Sequence, residues 1–178
     1  MQFLHPLGQH FSFGISDVIK AKGSLFDIEC RDSTTGDGVF IAVTPKVSGK
    51  SVQDLPSSFF LDRIFSPTGR FSFYGAPTDI KVKKSYSIDN YRYIEMSFST
   101  LSQSTQTEIP RNAILVASIP SGTDEAVMMI GSATVPRWRR GGVEDVVRKT
   151  AESFKVVSSP ITKFKVRAVD RSGNRDIF

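Results

Sequence analysis

The chain has 178 residues, 39% hydrophobic and 23% charged, with a formal net charge of +5 and one cysteine. That length and balance suit one globular domain able to bury a core of its own. They exclude an intramolecular disulfide and a thiolate metal cluster, and no run approaches the ~20 apolar residues of a membrane span.

In chain order, residues 1–14 read as an irregular arm holding His5 and His10, the only two histidines. Residues 15–22 and 25–31, split by Gly23 and Ser24, read as a β-hairpin. Cys30 lies on the polar register of its second strand and has no neighbour that would lower a thiol pKa, so it reads as inert. A polar turn over 32–38 leads into the apolar strand Val39, Phe40, Ile41, Ala42, Val43, which Thr44 and Pro45 should end. A helix is expected within 52–65, beginning near Leu55 because Pro56 is tolerated only in a first turn, and stopping at Ser66 and Pro67. Residues 70–77 form an aromatic loop broken by Gly75 and Pro77.

Four strand signals follow, over 79–88, 91–101, 113–119 and 126–134, joined by short polar breaks. In the second, Tyr91, Tyr93, Glu95 and Ser97 alternate with Ile94, Met96 and Phe98. Closely spaced strands of this kind favour an antiparallel meander. The turn Arg137-Trp138-Arg139-Arg140 and the pair Gly141-Gly142 precede a one-faced helix. Its stripe is Val143, Val146, Val147, Thr150/Ala151 and Phe154, with Glu144 and Asp145 suiting the N-terminal dipole. Residues 154–157 should return as a short strand. The predicted fold is therefore α+β, a central antiparallel sheet of about six strands flanked by helices, with an N-terminal β-hairpin. Its parts are an arm over 1–10, a domain over 11–158 and a basic tail over 159–178.

Residues 137–178 carry eleven Lys/Arg and five Asp/Glu, a balance of +6, while the preceding 136 residues carry −1. This asymmetry points to an acidic partner on the C-terminal side. The candidate docking residues are Arg137, Trp138, Arg139, Arg140, Lys163, Lys165, Arg167 and Arg171. A solvated basic surface is the plain alternative, and for a lone Trp the plain alternative is the core. A nucleic-acid interface lacks an interleaved basic and aromatic strand face.

Catalytic patterns do not assemble. Residues 44–51 come within one position of a phosphate-binding loop, but Thr44 and Pro45 stand where a tight glycine turn is needed, and the following strands read as antiparallel. Gly36-Asp37-Gly38 lacks a third glycine and precedes a strand. His5 and His10 have no companion ligands for structural zinc. The expectation is a non-enzymatic protein with no catalytic, cofactor or metal residues. A third reading makes Phe71, Phe73 and Tyr74 the wall of a ligand pocket.

Four stretches together resemble the PsbP-domain proteins, extrinsic lumenal subunits and assembly factors of oxygenic photosynthesis. They are residues 38–45 with 50–55, residues 91–98, residues 111–119, and Arg137-Trp138 with residues 146–157 up to Ser153, Phe154 and Val156. The likeness spans about residues 11–158 by the order and spacing of these elements. It departs in the opening, since residues 11–20 lack the family's Pro and Trp, and in the tail beyond Pro160.

The resemblance implies a sheet sandwiched by helices and a membrane-associated protein of the chloroplast thylakoid lumen. Its leader would be absent, so the chain reads as a mature form. Partners would be a photosystem core and neighbouring extrinsic subunits, with no nucleic acid. Photosystem II with its oxygen-evolving complex comes first, and photosystem I or the chloroplast NDH complex stands as the alternative. Calcium and chloride retention belongs to the founding subunit's N-terminal arm, which has no clear counterpart in residues 1–10. A Ran-binding import factor shares the architecture, so an adaptor for a small GTPase is the reading from another class.

Overall fold

The computed structural model describes residues 28–157 apart from 33, 34, 73, 103, 104 and 141, with the backbone of Gln2–Leu4 and His10–Ser12. These last two segments, β1 and β2, pair antiparallel where the sequence suggested an irregular arm. Residues 15–27, which include most of the expected N-terminal hairpin, and the tail beyond 157 lie outside the described residues.

Six further strands make one sheet: β3 (Glu29–Arg31), β4 (Gly38–Lys46), β5 (Thr78–Ile88), β6 (Tyr91–Leu101), β7 (Glu108–Ser118) and β8 (Glu125–Thr134). Their order is β3-β4-β8-β7-β6-β5, antiparallel throughout. The last four form the expected meander. Helix α1 (Ser57–Ile64) lies in the long crossing from β4 to β5, while α2 (Val135–Arg140) and α3 (Val143–Ser153) follow β8. The architecture is the α+β sandwich read from the sequence.

Strand alternation sorts the side chains into two cores. Ile94, Met96 and Phe98 of β6 join Leu115, Met128, Ile130 and the α1 residues Phe60 and Ile64. On the other face Tyr93, Ile114, Val116 and Met129 pack with Trp138, Val147, Ala151 and Phe154. Both faces of the central strands are thus covered, which is why β7 and β8 read as almost unbroken apolar runs.

Several boundaries differ from the expectation for physical reasons. Strand β4 continues through Pro45 to Lys46, with a register shift after Val43. The three-residue β3 pairs only with the start of β4, so Pro45 faces no partner on that side. The Thr44 hydroxyl accepts from Ala126 N at 2.9 Å and keeps β8 attached across the irregularity. Likewise β7 begins at Glu108, passing through Pro110 before its pairing with β8 starts at Arg111. Helix α1 starts only at Ser57, with Pro56 as its N-cap. The basic Trp-bearing turn is itself the short helix α2. In α3 the buried stripe is Val147 and Ala151, continued by Phe154, whereas Val146 is half exposed. Beyond α3 only an isolated bridge at Lys155 appears in place of a strand.

Gly131 of β8 lies directly against Val147 of α3. A Cβ there would stand 2.6 Å from Val147 Cγ1. Gly131→Ala should destabilise the protein by about 1–3 kcal/mol through overpacking. Adding Val147→Ala should cost less than the sum of the two single changes, because it vacates the contested space. Denaturant midpoints of the four-member cycle measure this.

Candidate functional site

The candidate docking cluster is divided by its helix. Trp138 is 8% exposed and belongs to the core beneath α2 and α3. Arg137 is about half exposed, and its Nε donates to Asp37 Oδ2. Arg139 and Arg140 are exposed and form no ion pair with any described residue. Lys163, Lys165, Arg167 and Arg171 lie outside the described residues.

Sheet register adds cations that the sequence did not single out. Lys84 stands opposite Glu95 and Lys81 opposite Ser97, and Glu95 points to the α3 side, where it accepts from Arg148 Nη1 at 2.9 Å. Lys83 Nζ donates to Asn112 Oδ1 at 2.7 Å, and Asn112 pairs with Ser97, so it also reaches this side. Arg148 also donates to Glu144 at 3.0 Å. These two bonds raise its pKa above the ordinary guanidinium value, outweighing the lowering by burial, so Arg148 is a committed structural cation. Lys81, Lys84, Arg139 and Arg140 remain exposed and without a described counter-ion. With Lys149 they outnumber the exposed α3 carboxylates Asp145 and Glu152, so the α2/α3 side of the sheet carries a positive excess.

On the opposite face α1 covers only part of the sheet, leaving a cleft of about 320 Å³ at the end where β4 begins and β8 finishes. Gly38 and Ser132 form a low floor, and Phe40, Phe71, Leu101 and Ile109 give an apolar wall. Phe71 and Tyr74 come from the aromatic loop that the sequence suggested as a pocket wall. Among the described residues its charged groups are mostly basic: Arg31 from β3, Arg70 from the 3-10 turn Arg70–Ser72, and Arg111 from β7, against the carboxylate Glu29, with threonine and serine hydroxyls between them. Arg70 holds Glu29 Oε1 through Nε at 3.0 Å.

Arg111 is only 8% exposed. Its Nη2 donates to Gly36 O at 2.9 Å and to Ser132 Oγ at 3.3 Å, and lies 3.8 Å from Asp37 Oδ1. Its Nε is enclosed and has no hydrogen-bond partner. Desolvation lowers the Arg111 pKa from its ordinary value, and Arg31 and Arg70 push the same way, while Asp37 opposes them. Asp37 also accepts from Thr134 N at 3.2 Å, so one carboxylate ties the turn before β4 to β7, β8 and α2.

Among the described residues no group of three or more His, Cys, Asp or Glu is placed to hold a metal ion. No described helix is long and apolar enough to cross a membrane. Compared with protein-family models and with curated proteins, the chain matches none.

Proposed function

We propose that this protein is a non-enzymatic extrinsic subunit or assembly factor. It docks by charge on the lumenal side of a photosynthetic complex, with photosystem II and its oxygen-evolving complex as the first candidate. The observation that carries the reading is the cationic α2/α3 side. Lys81 and Lys84 of β5 share it with Arg139 and Arg140 of α2, and none has a described counter-ion. The sequence beyond residue 157, outside the described residues, is basic as well. The family resemblance names the partner, and the helix-flanked antiparallel sheet agrees with the fold it implies. Chloroplast lumen location and the absence of catalysis belong to the same proposal.

Such docking should be screened by salt, because the Debye length falls to about 3 Å at 1 M. Added to washed thylakoid membranes, the protein should bind at low ionic strength and be released at about 1 M NaCl. Replacing Arg139 and Arg140 together by Gln should weaken binding about threefold to tenfold, in keeping with exposed ion pairs. Retention in molar salt, or binding indifferent to those two residues, would count against the reading. Fractionating native complexes decides among photosystem II, photosystem I and the NDH complex.

A further inference from the structure

We propose that the cleft at the end of the sheet is a binding site for a small organic carboxylate with an apolar body, held by Arg31 and Arg111 against the Phe71 wall. Neither the cationic docking side nor the resemblance uses this cleft, which opens on the α1 face. Among the described residues, the carboxylates paired with the guanidinium groups of Arg70, Arg111 and Arg137 at this end of the sheet are Glu29 and Asp37. Glu29 is held by Arg70, and Asp37 is divided between Arg111 and Arg137. Arg31 makes no ion pair with a described residue.

The two arginines converge. Around Gly36, the point a Cβ would occupy lies 3.4 Å from Arg31 Nη2 and 4.0 Å from Arg111 Nη1. Gly36 has φ +70°, a conformation that glycine adopts without strain, and its missing side chain leaves the approach open. Two like charges brought together at a partly desolvated site repel, and an anion between them removes that cost. Arg111 Nη2 is taken by Gly36 O and Ser132 Oγ, which leaves Nη1, on the Arg31 side, to donate to a carboxylate held between the two guanidinium groups.

The walls select among anions. Phe40, Phe71, Leu101 and Ile109 give the ligand's body an apolar surface, which inorganic phosphate or chloride would not use. Glu29 and Asp37 stand close enough to disfavour a dianion. The volume, near the lower end for small-molecule sites, suits one ring or a short alkyl chain.

The test is calorimetric titration of the full chain with phenylacetate and hexanoate, with phenylacetamide, inorganic phosphate and chloride as comparators. Phenylacetate should bind at one site with a Kd of about 1 mM or below. The uncharged amide should not saturate, and phosphate should bind more weakly. Arg31→Gln, at an exposed position, should weaken the carboxylate about tenfold or more through loss of a charge-assisted bond. Arg111→Lys should weaken it too, while Arg139→Gln should leave it unchanged. Absence of saturable carboxylate binding would overturn the proposal. So would equal binding of the amide, tighter binding of phosphate or chloride, or indifference to Arg31→Gln.

Discussion

Asp37→Ala should lower stability by about 3 kcal/mol and the melting temperature by about 6–12 °C, taking about 2–4 °C per kcal/mol for a chain of this size. Asp37 is 8% exposed and serves three donors: Arg137 Nε, Thr134 N and, at longer range, Arg111 Nη2. Its removal leaves Arg111 buried beside two other arginines with its nearest counter-charge gone. Breaking a buried pair from one side costs about 3–5 kcal/mol. The lower end applies because Arg137, 46% exposed, can turn to water. Asp37→Asn should fall between wild type and Ala, since the amide oxygen can still accept from Thr134 N. Asp37→Ala combined with Arg111→Met should cost less than the sum, as the stranded charge is then absent. Strict additivity in denaturant melts would show that the two side chains do not cooperate.

This clamp also explains why part of the molecule was legible in the sequence and part was not. The alternation in β6 was plain because each of its faces meets a different helix layer, so Ile94, Met96 and Phe98 had to be apolar while Glu95 could pair with Arg148. Pro45 and Pro110 concealed strand ends because proline signals a break. Both lie where one neighbouring strand is missing, so their absent N–H groups cost the sheet nothing. Helix α2 carries no 3.6-residue stripe, since only Trp138 is buried among its six residues. Its helical form is fixed by the packing of that indole and by the Arg137–Asp37 bond.

The cleft left no spacing signal, for Arg31, Arg70 and Arg111 are brought together only by strand order. One hint was present. Arg111 occupies the same register as Ala113, Leu115 and Ala117, so a charged residue stands at a core-facing position of an apolar strand. A buried charge calls for partners, and the search for them leads to Asp37 and the cleft. The candidate docking residues Arg137 to Arg140 were legible only as a run. The structure separates that run into a core residue, a clamp residue and the two exposed arginines, then adds Lys81 and Lys84 by register.

Phe98→Ala should be among the most damaging single changes, costing about 3–5 kcal/mol and about 6–20 °C in melting temperature. Phe98 is fully buried, and its ring lies 4.9 Å from Phe65 and 4.6 Å from Phe71. Phe71 in turn meets Phe40 edge-on at 5.6 Å. These four rings join the end of α1, the 3-10 turn and the sheet, and two of them, Phe40 and Phe71, line the cleft. Removing Phe98 takes away both buried area and aromatic contacts, and it withdraws the support behind Phe71. Phe60→Ala on α1 offers the contrast: that residue is equally buried on the same face, but its recorded ring contact is with Phe59. Both substitutions should lower the melting temperature to a similar degree, with only Phe98→Ala also weakening phenylacetate binding in the protein that remains folded at low temperature. Equal weakening by the two would mean that the cleft responds to general loosening of the core. Unchanged binding in Phe98→Ala would mean that the Phe71 wall does not hold the ligand.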